Sequence, residues 1–123
     1  MASPARILVV EDDVAIRETI AELLQEEGYA VSCAANGAEA LDRLAAVDQP
    51  PNLIVLDLMM PVMDGWAFRS VQRDDPRLSA IPVLVLSAGH GGDSRAVAGL
   101  GAEGFLPKPF DLASFVDAVH RLC

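Results

Sequence analysis

The sequence predicts an α/β fold, a doubly wound parallel sheet of five strands interleaved with five helices, in a single domain spanning residues 1–123. Three observations carry that expectation. Short apolar runs rich in branched residues recur along the chain, and most are followed by a stretch whose apolar residues fall at helical spacing. Parallel strands need helical crossovers, so this alternation points to a parallel sheet covered by helices on both faces. The polar residues that break the pattern stand at the carboxyl ends of apolar runs, which in an open α/β sheet share one crevice.

Taken in order, residues 7–10 (ILVV) form a strand that ends in Glu11-Asp12-Asp13. Ile16, Ile20, Leu23 and Leu24 then line one face of a helix over 14–27, which Gly28 ends. Asp13 serves as cap or first-turn acid of that helix. Residues 30–34 are a weaker strand, and Asn36-Gly37 leads into a helix with Ala40, Leu41 and Leu44 on one face, closed by Pro50-Pro51. Residues 53–56 (LIVL) read as a strand buried on both faces, with Asp57 at its carboxyl end. Pro61 blocks regular pairing in the loop that follows, and Asp64-Gly65 caps a helix over 66–73. Residues 81–86 (IPVLVL) are the fourth strand, ending in Ser87-Ala88, and Gly89 to Gly92 form a loop. A short helix is expected over 93–100, weakened by Gly99. A brief strand over 104–106 leads to Lys108-Pro109, and Asp111 caps a last helix carrying Leu112, Phe115, Val116 and Val119.

Composition removes several function classes. The chain carries a net charge of −9 and no Lys/Arg cluster, which argues against nucleic acid or an anionic membrane as a direct partner. No apolar run has the length of a membrane span and MASPAR leads straight into a strand, so a cytoplasmic protein is expected. Cys33 and Cys123 offer neither a disulfide framework nor a metal spacing, and Cys33 reads as an inert core residue. His90 and His120 are isolated and read as rim residues; Trp66 and Phe68 read as packing or partner contacts, and Met59, Met60 and Met63 as loop anchors.

The crevice therefore collects Glu11 and Asp12 from the first strand, Asp57 from the third, Ser87 from the fourth and Lys108 from the fifth. Neighbouring carboxylates repel unless a proton or a cation neutralises them. An all-oxygen site suits Mg²⁺, which accepts a few carboxylates and leaves room for phosphoryl oxygens. A carboxylate so placed can act as nucleophile towards a phosphoryl donor and become an aspartyl phosphate. Lys108 would balance charge on the phosphoryl oxygens while the Ser87 hydroxyl and the Ala88 N–H hydrogen-bond them.

With these residues in place, the sequence resembles the receiver domain of two-component response regulators over almost its whole length. The matching motifs are ILVVEDD (7–13), LIVLDLMMPVMDG (53–65), VLVLSA (83–88) and GAEGFLPKPF (101–110). The resemblance implies a flavodoxin-like sheet in the order 2-1-3-4-5, with the second strand at the edge. It implies that Asp57 accepts a phosphoryl group from a phosphohistidine on a sensor histidine kinase or histidine phosphotransfer protein. Asp12 and the Met59 carbonyl would join Asp57 in holding Mg²⁺, Glu11 acting through water. Ser87 and Lys108 fill the family's hydroxyl and lysine positions, and Lys108-Pro109 its cis peptide. The switch aromatic falls on Phe105, which has no hydroxyl and must act by packing alone. Phosphorylation would then change how the face of the fourth helix, fifth strand and last helix meets an unidentified downstream protein or output domain. Such self-directed chemistry is not turnover of an external substrate, so no enzyme is expected.

Three other classes share parts of this pattern. An FMN-binding flavodoxin type wants a Ser/Thr/Gly phosphate loop after the first strand, where this chain has acids. An aspartate-nucleophile phosphatase wants a second acid at the position of Met59. A receiver-like interaction module that is never phosphorylated stays open, as does the choice between a stand-alone regulator and a piece of a larger one.

Overall fold

Five strands lie parallel in one sheet in the order β2-β1-β3-β4-β5: β1 (Arg6–Val10), β2 (Ala30–Ala34), β3 (Leu53–Asp57), β4 (Val83–Ser87) and β5 (Gly104–Pro107). Among the described residues there are four helices: α1 (Val14–Glu26), α2 (Gly37–Ala46) and α3 (Gly65–Asp74) connect successive strands from β1 to β4, and α4 (Leu112–Leu122) follows β5. The structure is a computed structural model and describes residues 4–87 and 99–123. The helix expected over 93–100 lies outside the described residues except at Gly99 and Leu100, which form a turn.

Register follows from the pleat. Leu8, Val10, Ile54, Leu56, Val83 and Val85 face one side of the sheet, where they pack with Ala40, Leu44 and Phe68 of α2 and α3. Ile7, Val9, Leu53, Val55, Leu84 and Leu86 face the other, against Ile20 and Leu24 of α1 and Phe115, Ala118 and Val119 of α4. Strands covered on both faces read as continuous apolar runs, which is why β1, β3 and β4 stand out in the sequence and the edge strand β2 does not.

Each helix opens on a side-chain cap that satisfies an orphan N–H of its first turn. Asp13 accepts from Ile16 N at 3.1 Å, Asn36 from Glu39 N at 2.9 Å, Asp64 from Ala67 N at 2.8 Å and Asp111 from Ser114 N at 3.0 Å. Gly28, at φ +95°, ends α1 in the left-handed conformation. The fourth strand starts at Val83 instead of residue 81. Pro82 has no N–H for the ladder, although its carbonyl accepts from Ile54 N at 3.0 Å. Among the described residues, no helix is long and apolar enough to cross a membrane.

Candidate functional site

β1 and β3 are adjacent, so the residues leaving them are neighbours: Val10 pairs with Leu56, which sets Glu11 beside Asp57. Asp57 belongs to the strand itself, opposite Leu86, and is 4% exposed. Glu11 is fully buried, whereas Asp12 is exposed. Single carboxylate oxygens of Glu11, Asp12 and Asp57 all lie within 4.8 Å of one another, a donor set that can hold a metal ion.

Lys108, the only lysine in the chain, reaches into this cluster from the end of β5. Its Nζ lies 2.7 Å from Glu11 Oε1 and 3.5 Å from Asp57 Oδ1. The other Glu11 oxygen accepts from Asp13 N at 3.3 Å. Burial pushes the Glu11 carboxyl up to about 7 and the facing Asp57 adds to the rise, while Lys108 opposes it. Burial works against the Lys108 ammonium, yet the two carboxylates outweigh it and hold its pKa above the ordinary value. In this state Lys108 therefore acts as the cation of the acidic pocket.

The loop after β3 completes the site. Met59 N donates to Asp57 Oδ1 at 3.4 Å, and the Met59 side chain is 64% exposed, not packed on the sheet as expected. Met60 and Met63 do pack on the α2–α3 side of the core. Val62 has φ 70°, with Met63 N bonded to Pro61 O at 2.8 Å, the i→i+2 pattern of the rare γ-turn with positive φ. Gly65 is required by proximity: a Cβ there would stand 2.7 Å from the Asp57 carbonyl oxygen and from Leu58 Cα.

Ser87 ends β4 with its backbone paired to Pro107, and Ala88 and Gly89 lie outside the described residues, as does His90. Phe105, on the edge strand, is 45% exposed. The Lys108–Pro109 bond is cis. Cys33 is half-buried, not a full core residue, and burial raises its thiol pKa. His120 is exposed but not isolated, since Nε2 lies 3.2 Å from Glu27 Oε1 and its ring is 5.9 Å from that of Tyr29. Phe68 is fully buried and Trp66 packs partly against the same cluster.

Two features escaped the sequence reading. The Glu11–Lys108 pair joins residues 97 apart, and only the adjacency of strands could announce it. The Arg17 guanidinium donates to Glu11 O at 2.8 Å, bracing the acidic turn from α1, a role that polar spacing on a helix does not reveal.

Comparison with known proteins sets this geometry in a family. The model described as "Response regulator receiver domain" matches residues 7–120. The chain is 42% identical over 125 residues to the response regulator MprA of Mycobacterium sp. strain KMS, covering 97% of this chain and 50% of that one. It thus spans about half the length of the curated relatives it matches. The chemotaxis response regulator CheY4 of Vibrio cholerae superposes with a TM-score of 0.87 at 30% identity, over 98% of this chain and 99% of that one. The receiver domain of the sensor histidine kinase PA1611 from Pseudomonas aeruginosa superposes with a TM-score of 0.87 at 28% identity, over 97% of each chain. That structure holds a magnesium ion coordinated in its active site cleft.

Proposed function

The chain belongs to the response regulator receiver family, and from that premise we propose that it is the phosphoacceptor of a two-component phosphorelay, with Asp57 as the phosphorylated residue. One observation carries the reading. Asp57 is buried at a strand end with the Glu11 and Asp12 oxygens within 4.8 Å and a lysine ammonium 3.5 Å away. A carboxylate held there is supplied with counter-charge, not with an apolar partner.

The donor set fits Mg²⁺, and the magnesium ion in the related PA1611 domain supports that assignment. Asp12, Asp57 and the Met59 carbonyl would hold the ion, with Glu11 acting through water. When bound it neutralises the carboxylates and the phosphoryl oxygens. The chain's own residues do the rest. A free oxygen of Asp57 attacks phosphorus in line as the phosphorus–nitrogen bond of a phosphohistidine breaks, the electron pair leaving with the imidazole. Lys108 turns from Asp57 to the phosphoryl oxygens, and its ammonium offsets part of the charge of about −2 that the acyl phosphate carries in place of the carboxylate's single charge. The Ser87 hydroxyl and the Ala88 N–H would donate to the same oxygens. Water later attacks phosphorus and restores the Asp57 carboxylate, so the chain acts on its own side chain and is no enzyme for an external substrate.

A sensor histidine kinase or histidine phosphotransfer protein in the cytoplasm would supply the phosphoryl group. The response would pass through the face that includes Phe105 and α4 to a downstream protein or output domain. Incubation with acetyl phosphate and Mg²⁺ followed by intact mass measurement tests the chemistry. One labile phosphate that needs both Mg²⁺ and Asp57, and is absent in Asp57→Asn, is the expected result. No adduct would sink the phosphoacceptor reading and leave a protein-interaction module.

A further inference from the structure

Outside the acidic pocket, the only buried polar or charged residues among the described ones are Arg69 and Gln72, both on α3. They bond to each other, Arg69 Nη1 donating to Gln72 Oε1 at 2.8 Å. Their remaining bonds run to the backbone just before two strands. Gln72 Nε2 donates to Leu78 O at 3.0 Å and Ile81 O at 3.1 Å, ahead of β4. Arg69 Nε donates to Leu100 O at 2.9 Å and Nη2 to Gly101 O at 3.0 Å, ahead of β5. Arg73 adds a bond to Gly99 O at 3.0 Å, so successive carbonyls 99–101 all point at α3 guanidinium groups. Gly101, at φ +62°, permits that turn.

The other end of α3 is fixed on the phosphoacceptor loop. Gly65 N donates to Leu58 O at 2.9 Å, and the close approach of Gly65 to the Asp57 carbonyl leaves no room for a side chain. α3 thus bridges the backbone of Asp57 and the turn from which β5 departs. The far joint is stiff because a guanidinium presents its donors in one rigid plane. It is also held by necessity. Among the described residues Arg69 has no carboxylate within 4.0 Å, so sliding α3 past the turn would leave a buried charge with the neutral Gln72 amide in place of its loop carbonyls.

We propose that α3 is a rigid strut carrying the phosphorylation state of the Asp57 loop to the turn before β5, and so to Phe105 and Lys108, with Arg69 as its far joint. The proposal rests on the reading of Asp57 as phosphoacceptor. It is a route separate from the hydroxyl position Ser87, because it reaches Phe105 through backbone contacts ahead of the amino end of β5. Arg69 is a positioning residue here and touches no phosphoryl oxygen.

The test compares the wild-type chain with Arg69→Met/Gln72→Leu, which fills the same space with apolar groups, and with Arg69→Lys and Arg73→Gln, which disturb the fold least. Each is treated with acetyl phosphate and Mg²⁺, its phosphate counted by intact mass, and amide hydrogen exchange followed with and without the phosphate. The expected result is an unchanged phosphate yield in every variant. The phosphorylation-linked change in exchange over residues 99–106 should fall at least about twofold in the double variant and in Arg69→Lys, and less in Arg73→Gln, while that over 58–65 persists. An undiminished change over 99–106 in Arg69→Lys, or none there in the phosphorylated wild type, would overturn the strut. Absence of any phosphate on the wild type would instead show up in the mass alone and overturn the reading of Asp57.

Discussion

Burial raises the Glu11 carboxyl to about 7 from 4.5, so without metal the folded chain keeps a proton that the unfolded chain has already released. The sign follows from linkage: with a raised folded pKa, this contribution to stability is complete below about pH 4.5 and is lost as pH climbs through 7. Metal-free protein should therefore lose on the order of 1–3 kcal/mol between pH 5 and 7.5 by urea denaturation, and Glu11→Gln should flatten that slope. Lys108 sits where a cation would bind, since its ammonium already neutralises Glu11 and Asp57. Lys108→Ala is expected to tighten Mg²⁺ binding severalfold in calorimetry; weaker binding would mean that the ammonium organises the carboxylates more than it competes for them. That Glu11, Asp12, Asp57 and Lys108 share one crevice was legible because each interrupts an apolar pattern at a strand end. Their pairing was not, because contact between residues 97 apart depends on which strands are neighbours.

Among the elements, the helices were readable from their first residues. Asp13, Asp64 and Asp111 cap as their sequence positions suggest, and Asn36, read as leading into α2, caps it too. Asn36→Ala should cost about 1 kcal/mol in denaturant titration, because Glu39 N then has no side-chain acceptor. The loop after β3 is less economical. Val62 is β-branched, 84% exposed and at φ 70°, a conformation that asparagine tolerates far better. Val62→Asn is expected to stabilise the chain by about 1 kcal/mol, and a loss of stability would mean the turn is not strained. α3 shows where periodic reading stops. Arg69 and Gln72 lie on its buried face beside Phe68, but a pattern that sorts residues into apolar and polar assigns them to solvent. Their burial is explained only by the loop carbonyls they serve, and those are placed by the tertiary fold. The start of β4 moved for a local reason, the missing N–H of Pro82 just ahead of it.

At the scale of the whole molecule, five parallel strands in the order β2-β1-β3-β4-β5 bring Glu11, Asp12, Asp57 and Lys108, spread over nearly a hundred residues of sequence, to the carboxyl ends of the strands. Binding of Mg²⁺ to that carboxylate cluster should raise the stability of the entire fold, by about 1.4 kcal/mol at ten times its dissociation constant. Asp57→Asn should abolish most of that gain in a thermal melt, and an equal gain in the variant would place the ion elsewhere. The alternation of strands and helices made the architecture legible; the two-sided burial of β1, β3 and β4 is the physical reason, since such strands leave unbroken apolar runs. Having a single lysine gives the molecule one more property. Grown with lysine labelled with nitrogen-15 at the ε position alone, the protein would carry a lone labelled ammonium, and it would sit in the crevice. One resonance, free of overlap and needing no assignment, would then follow proton, metal and phosphate occupancy in real time, so that the chain serves as its own spectroscopic probe.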